Sequence, residues 1–243
     1  MTIGPKEMVR RAMDIVRPVL IDKVERDHWQ SDTAFVRRRI VVGITLAVGA
    51  TLLGLSFSVR QGDPAFYPLT FGLAATWTLG SLLSGPLHLG HILRGGTLRR
   101  PIITPIASGL LLAAVFVVGA FFIRTIPALA SLTEDVLGYA RLGNLWIILV
   151  ITLVNGIAEE LFFRGSLYAA IGTWHPVLIS TVLYALATIA GGNAVLVFAA
   201  ALLGTVVALE RRASGGILAP ILTHITWSLG MLLVLPPIFA GEV

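Results

Sequence analysis

Long apolar runs recur along almost the whole chain, and they leave it few ways to fold. They cover residues 40–59, 66–87, 102–123, 145–170, 175–190, 194–209 and 216–235. A helix of about 20 residues, rising 1.5 Å per residue, crosses the hydrocarbon core of a bilayer. Backbone polar groups cannot stay unpaired there, so such segments fold as helices. Composition agrees: 56% of the 243 residues are hydrophobic and 13% are charged, whereas a soluble domain carries about 25% charged residues. The expected fold class is all-α: a polytopic transmembrane helical bundle of about seven spans. Residues 129–143, with Glu134, Asp135 and Arg141, suit a short surface helix instead.

Charge divides the chain into two parts. Residues 1–39 form a basic amphipathic segment, and 40–243 a transmembrane helical domain. Lys6, Arg10, Arg11, Arg17, Lys23, Arg26, Arg37, Arg38 and Arg39 all precede the first apolar run. A basic stretch beside a span marks a cytoplasmic segment near anionic lipid. With seven spans, Arg94, Arg99, Arg100, Arg211 and Arg212 fall on that same side, while the loops at 61–64 and 191–193 fall on the other. Membrane lipid is therefore the expected partner of the basic arm. Nucleic acid is not, because Glu7, Asp14, Asp22, Glu25 and Asp27 alternate with the basic residues. Residues 5–26 place Val9, Met13, Val16, Leu20 and Val24 at helical spacing, with Pro18 expected to kink or break the helix. Such a helix suits either the membrane surface or the protein's own flank. The first residues lack the short apolar core of a signal peptide. The chain has no cysteine, which removes disulfides and thiol chemistry.

One span carries charges that are hard to explain as packing. In Asn155-Gly-Ile-Ala-Glu159-Glu160-Leu-Phe-Phe-Arg164-Gly165, two carboxylates and a guanidinium lie inside an apolar run. Each costs roughly 2.5–3.5 kcal/mol at membrane depth on insertion scales. Glu160 and Arg164 are four apart and can pair on one helical face. Glu159 is rotated about 100° away. It is then left to exchange a proton, as a general base activating water requires. A buried ion pair that merely fixes helix packing is the plainer alternative. Ser180, Tyr184 and Thr188 make a polar stripe expected to face the same cavity. Ordinary interhelical hydrogen bonding explains that stripe equally well, and also Thr223, Thr226 and Ser228. His88 and His91, at i and i+3, suit either metal ligation or a headgroup-level position. His28 reads as exposed, and His175 starts a span too far from Thr188 to replace it.

These residues resemble the CAAX protease and bacteriocin-processing family of intramembrane peptidases, which includes the prenyl-protein endopeptidase. Glu159-Glu160-Leu-Phe-Phe-Arg164 resembles the family's first motif, two glutamates followed after three residues by arginine. Gly215-Gly216-Ile-Leu-Ala-Pro220-Ile-Leu-Thr-His224 resembles its closing motif, and the likeness spans roughly residues 145–235. The resemblance implies an endopeptidase that hydrolyses a peptide bond of a membrane-associated peptide or protein. It implies Glu159 as the base, Glu160 and Arg164 as its support, and His224 and the residue four later as holders of the water or carbonyl oxygen. It leaves open whether a divalent metal such as zinc, held by Glu159 and His224, takes part. Two positions depart from the pattern. Thr188, four residues after Tyr184, stands where the second motif has histidine, and Ser228 stands where the third has asparagine. Serine still donates a hydrogen bond, but threonine replaces neither an imidazole base nor a metal ligand. A catalytically inactive member, serving as a membrane scaffold or partner-binding protein, is the alternative. A proton-coupled transporter is disfavoured by the lack of repeated halves.

Overall fold

The computed structural model describes residues 5–25 and 28–240. Arg26 and Asp27, and the side chains of Lys6, Val9 and Arg11, lie outside the described residues. The elements run in order α1 Pro5–Val16, α2 Asp32–Ser58, α3 Phe66–Ser84, β1 Ile92–Arg94, β2 Thr97–Arg99, α4 Ile103–Ile123, α5 Pro127–Leu142, α6 Leu145–Glu160, α7 Tyr168–Ile171, α8 Pro176–Ile189, α9 Ala194–Ser214 and α10 Leu218–Phe239. Two π-helical segments, Arg17–Ile21 and Leu161–Leu167, extend α1 and join α6 to α7.

Five helices are long and apolar enough to cross a membrane: α2, α4, the α6–α7 unit Leu145–Ile171, α9 and α10. Of the other two expected spans, α3 has 19 residues, many of them Gly, Ser and Thr, and α8 is an apolar helix of 14. The protein is an integral membrane protein. Its outer surface shows why: Leu110, Leu111, Val115, Val118, Phe121 and Phe122 of α4 are all exposed. The residues α2 turns inward are Arg38, Val42, Thr45, Gly49 and Ser56. Lipid tails are as apolar as leucine, so helices associate through small residues that let them approach closely. Gly49 of α2 takes the Trp77 ring of α3, and Gly80 of α3 takes Thr45. Inward hydroxyls satisfy themselves on carbonyls one turn back, as Thr45 does on Val41 at 2.7 Å and Ser81 on Trp77 at 2.6 Å. Trp146 and Trp174, 76% and 71% exposed, bracket the α6–α7 span as interfacial anchors do.

Helices pair as α2 with α3, α4 with α10, and α8 with α9, and α6 runs between α3 and α10. The core lies along α6 and its π segment. Trp77 stacks on Phe162 at 4.5 Å, and Phe163 meets Tyr184 of α8 at 4.6 Å.

Several expectations are corrected. Pro18 does not break the first helix; the chain widens into a π turn there, and Val19 is buried. The π register removes the need for the bond that the proline nitrogen cannot donate. That turn packs on α9. Helix α2 starts at Asp32, not near residue 40, because the Ser31 hydroxyl caps it by accepting from the Ala34 amide at 3.3 Å. Arg37–Arg39 therefore lie inside its second turn. A small hairpin, Ile92–Arg99, was not expected. Its turn is Gly95-Gly96, both with positive φ, the conformation a two-residue hairpin turn needs.

Candidate active site

The site begins with how α6 ends. Asn144 caps its start, accepting from the Trp146 and Ile147 amides. The helix runs regularly to Glu160 and then widens into the π segment that carries Arg164. Such single π turns inside α-helices recur at functional sites. Glu160 and Arg164 are both 0% exposed, and Arg164 Nη1 donates to Glu160 Oε1 at 3.2 Å. Arg164 Nη2 donates to the Gly204 carbonyl of α9 at 3.1 Å. A Cβ at Gly204 would lie 3.0 Å from that nitrogen, so glycine makes room for the guanidinium. Behind it, Arg211 Nε donates to the Arg164 carbonyl at 2.6 Å.

His224 arrives from α10. The turn before that helix is set by Gly215, whose positive φ ends α9, and by Gly216, which lies against the backbone of Leu89 and Gly90. Backbone bonds lock this crossing: Ile217 N to His88 O at 2.9 Å and Leu218 N to Leu89 O at 3.1 Å. His224 Nδ1 then sits 2.7 Å from Glu160 Oε1. That oxygen already accepts from Arg164, so the imidazole nitrogen is the donor. Nε2 is left as the ring nitrogen available to the cavity. Gly156, one turn before Glu160, faces the His224 ring and lets α10 approach.

Glu159 has a different partner. The Tyr184 hydroxyl of α8 donates to Glu159 Oε2 at 2.5 Å. Glu159, Tyr184, Thr188 and His224 all line one cavity of about 170 Å³, walled by Trp77, Phe163 and Trp227. Beyond it lies an almost wholly apolar chamber of about 240 Å³ under α5. The two share Phe57, Leu196, Ala199 and Trp227. Beside that chamber, Asn193 Nδ2 ties the start of α9 to α5 by donating to the Leu132 carbonyl at 2.7 Å.

The structure thus brings Glu159, Glu160, Arg164, Tyr184, Thr188 and His224 together. The expected pair of Glu160 and Arg164 forms, Glu160 holds His224 as well, and Tyr184 holds Glu159. Thr188 faces the cavity where an imidazole was expected, but its hydroxyl donates to the Tyr184 carbonyl at 2.9 Å. Ser228 is half-buried one turn beyond His224 and is not among the cavity's lining residues. Ser180 is buried and bonds Val177 of its own helix. His88 does not reach the carboxylates. It lines a separate cavity, stacked on His28 with ring centroids 3.9 Å apart. His91 is held by its amide, which donates to the Ser214 carbonyl.

The donor set does not fit a catalytic zinc. A catalytic zinc takes three protein ligands. Among the described residues, no group of three His, Cys, Asp or Glu could hold one. His224 Nδ1 is committed to Glu160, and Arg164 puts a positive charge beside that oxygen.

Sequence reasoning missed a second buried carboxylate. Glu210 is 0% exposed, and the Thr223 hydroxyl lies 2.8 and 2.9 Å from its two oxygens. The same hydroxyl is 3.0 Å from the Pro105 carbonyl, which ties α9, α10 and α4 together beside His224. The available signal was an acid closing an otherwise apolar helix.

Residues 141–230 match the family model described as Rce1-like, type II CAAX prenyl endopeptidase. The comparisons with curated proteins and with solved structures gave no match. The matched segment holds the helices that bring in Glu159, Tyr184 and His224. That match supports membership of the CAAX protease and bacteriocin-processing family and, at the level of the family, a CAAX-protease-like intramembrane peptidase.

Proposed function

We propose that this protein is an active intramembrane endopeptidase in which Glu159 activates water without an imidazole at position 188. The observation that carries the reading is the convergence of Glu159 and His224 on one cavity, each held by its own partner. Glu159 Oε2 is occupied by Tyr184, so the other oxygen takes the proton of a cavity water. The water oxygen bonds the scissile carbonyl carbon, and the carbonyl π pair moves to its oxygen. His224, anchored through Nδ1–H on Glu160, donates from Nε2 in its protonated form to that oxyanion. When the intermediate collapses, the C–N bond breaks and Glu159 returns the proton to the leaving nitrogen. Tyr184, Glu160 and Arg164 position these groups and do not touch substrate.

The substrate is a membrane-associated peptide or protein whose apolar residues occupy the chamber beneath α5. The basic N-terminal arm lies in the cytoplasm, which the clustering of Arg37, Arg38, Arg39, Arg94, Arg99, Arg100, Arg211 and Arg212 toward one end of the chain's spans supports. One observation favours a second reading, an inactive member acting as a membrane scaffold. Thr188 faces the cavity with no imidazole of α8 beside it.

The test is cleavage of a fluorogenic membrane-peptide library by the purified protein, beside Glu159→Ala. The reading expects products from the parent and none from the variant. Equal products from both would remove Glu159 from the chemistry, and silence in the parent would favour the scaffold.

A further inference from the structure

We infer that Trp227 is a further catalytic residue, donating its indole N–H to the scissile carbonyl oxygen as that oxygen becomes an oxyanion. This role rests on the endopeptidase reading of the same cavity, in which His224 is the one donor to the oxyanion. The family resemblance places a second holder four residues after His224, at Ser228, which is not among the cavity's lining residues. Trp227 is among them. It follows His224 by three residues on α10, so the two side chains are neighbours on one helical face.

The indole nitrogen sets this ring apart. Trp227 Nε1 is buried and has no hydrogen-bond partner among the described residues. Buried tryptophans usually find one, and inside a bilayer bulk water does not supply it. An acceptor entering the space beside the ring does. Trp227 borders both the catalytic cavity and the apolar chamber beneath α5. A substrate with an apolar side chain in the chamber and its scissile bond at Glu159 must carry its backbone past this junction.

The spacing fits a shared acceptor. The Trp227 and His224 rings lie 6.2 Å apart between centroids and are inclined by 61°. One oxygen accepting from both N–H groups at about 2.7–3.1 Å bridges such a gap. Phe116 of α4 meets the indole at 5.1 Å between centroids, inclined by 73°, which restrains the ring before substrate arrives. Donors fixed in advance cost no reorganisation at the moment of reaction. The water oxygen bonds the carbonyl carbon, its proton passes to Glu159, and the carbonyl π pair moves to the oxygen. That oxygen then accepts from His224 Nε2–H and Trp227 Nε1–H. The indole is a donor only, so it stabilises the charge and gives up no proton. A tryptophan that merely walls the cavity would tolerate phenylalanine without loss.

The full chain, isotope-labelled at the indole nitrogens of its five tryptophans, is titrated in detergent with the peptide aldehyde benzyloxycarbonyl-Leu-Leu-leucinal. The hydrate of this aldehyde presents a tetrahedral oxygen in place of the scissile carbonyl. One indole N–H resonance, missing from Trp227→Phe, should move downfield saturably. Trp227→Phe should keep the parent Tm and bind the aldehyde at least about tenfold more weakly. On a cleaved library peptide it should lower kcat by about 10²–10³ and leave KM within about threefold. Trp146→Phe, at the exposed end of α6, should match the parent throughout. An unmoved Trp227 resonance overturns the inference, and so does aldehyde binding or cleavage by Trp227→Phe equal to the parent's. A parent that binds the aldehyde through Trp227 but cleaves no peptide overturns the endopeptidase reading and upholds the donor. Should Trp227→Phe fail to fold, replacing Trp227 by benzothienylalanine, with sulfur in place of the N–H, decides in its stead.

Discussion

Two adjacent glutamates do different work because a rotation of about 100° gives them different neighbours. Glu160 points into protein and shares one oxygen between Arg164 and His224. Glu160→Ala strands a fully buried guanidinium, and such breakage costs about 3–5 kcal/mol. The expected result is a lower Tm in detergent and a loss of activity that follows the loss of fold. Glu159 faces the cavity and is held by Tyr184. Glu159→Gln should keep the parent Tm while lowering kcat by about 10²–10⁴, the usual contribution of a positioned acid–base group. His88 makes a separate prediction outside the spans. Its imidazole is pushed below the ordinary range, so the unfolded chain binds the proton more tightly. Its contribution to stability is present above the ordinary histidine value and lost as pH falls through the depressed one. A histidine resonance titrating below about 6.5 and removed by His88→Ala checks this.

At the scale of elements, close helix approach sets the site. Gly204 gives Arg164 both its carbonyl and its space. Gly204→Ala should displace the guanidinium and lower both Tm and activity. Gly72→Ala, which meets nothing within 4 Å, should change neither. Thr223→Val takes one hydroxyl partner from buried Glu210 and should cost about 1–3 kcal/mol in a denaturation measurement. Much of this level was legible in the chain. The acid pair four residues before Arg164 announced the ion pair, and the apolar runs announced their helices. What escaped has a common physical cause. The π widening at Leu161–Leu167, the bond from Tyr184 to Glu159 and the transfer of Glu160 to His224 depend on side-chain reach across helices. Spacing within one helix records none of these. The family resemblance implied a role for Ser228 beside His224, but Ser228 is not among the residues lining the cavity.

For the whole molecule, lipid is the solvent, and the bundle exposes many large apolar residues while burying polar and charged ones beside an aromatic core. Orientation is testable because the chain has no cysteine of its own. Leu98→Cys in the hairpin and Pro64→Cys in the loop before α3 should label with an impermeant thiol reagent from opposite sides of the membrane. Labelling of both from one side would contradict the cytoplasmic arm. The central claim is that Glu159 and His224 form a working pair although residue 188 is threonine. It is tested most directly by cleavage of the membrane-peptide library by the parent and by Thr188→His, side by side. The account predicts products from the parent, with the variant within about tenfold of it, roughly 1.4 kcal/mol in the barrier. A silent parent beside an active Thr188→His would contradict it, and would show a site whose chemistry was switched off at that one position.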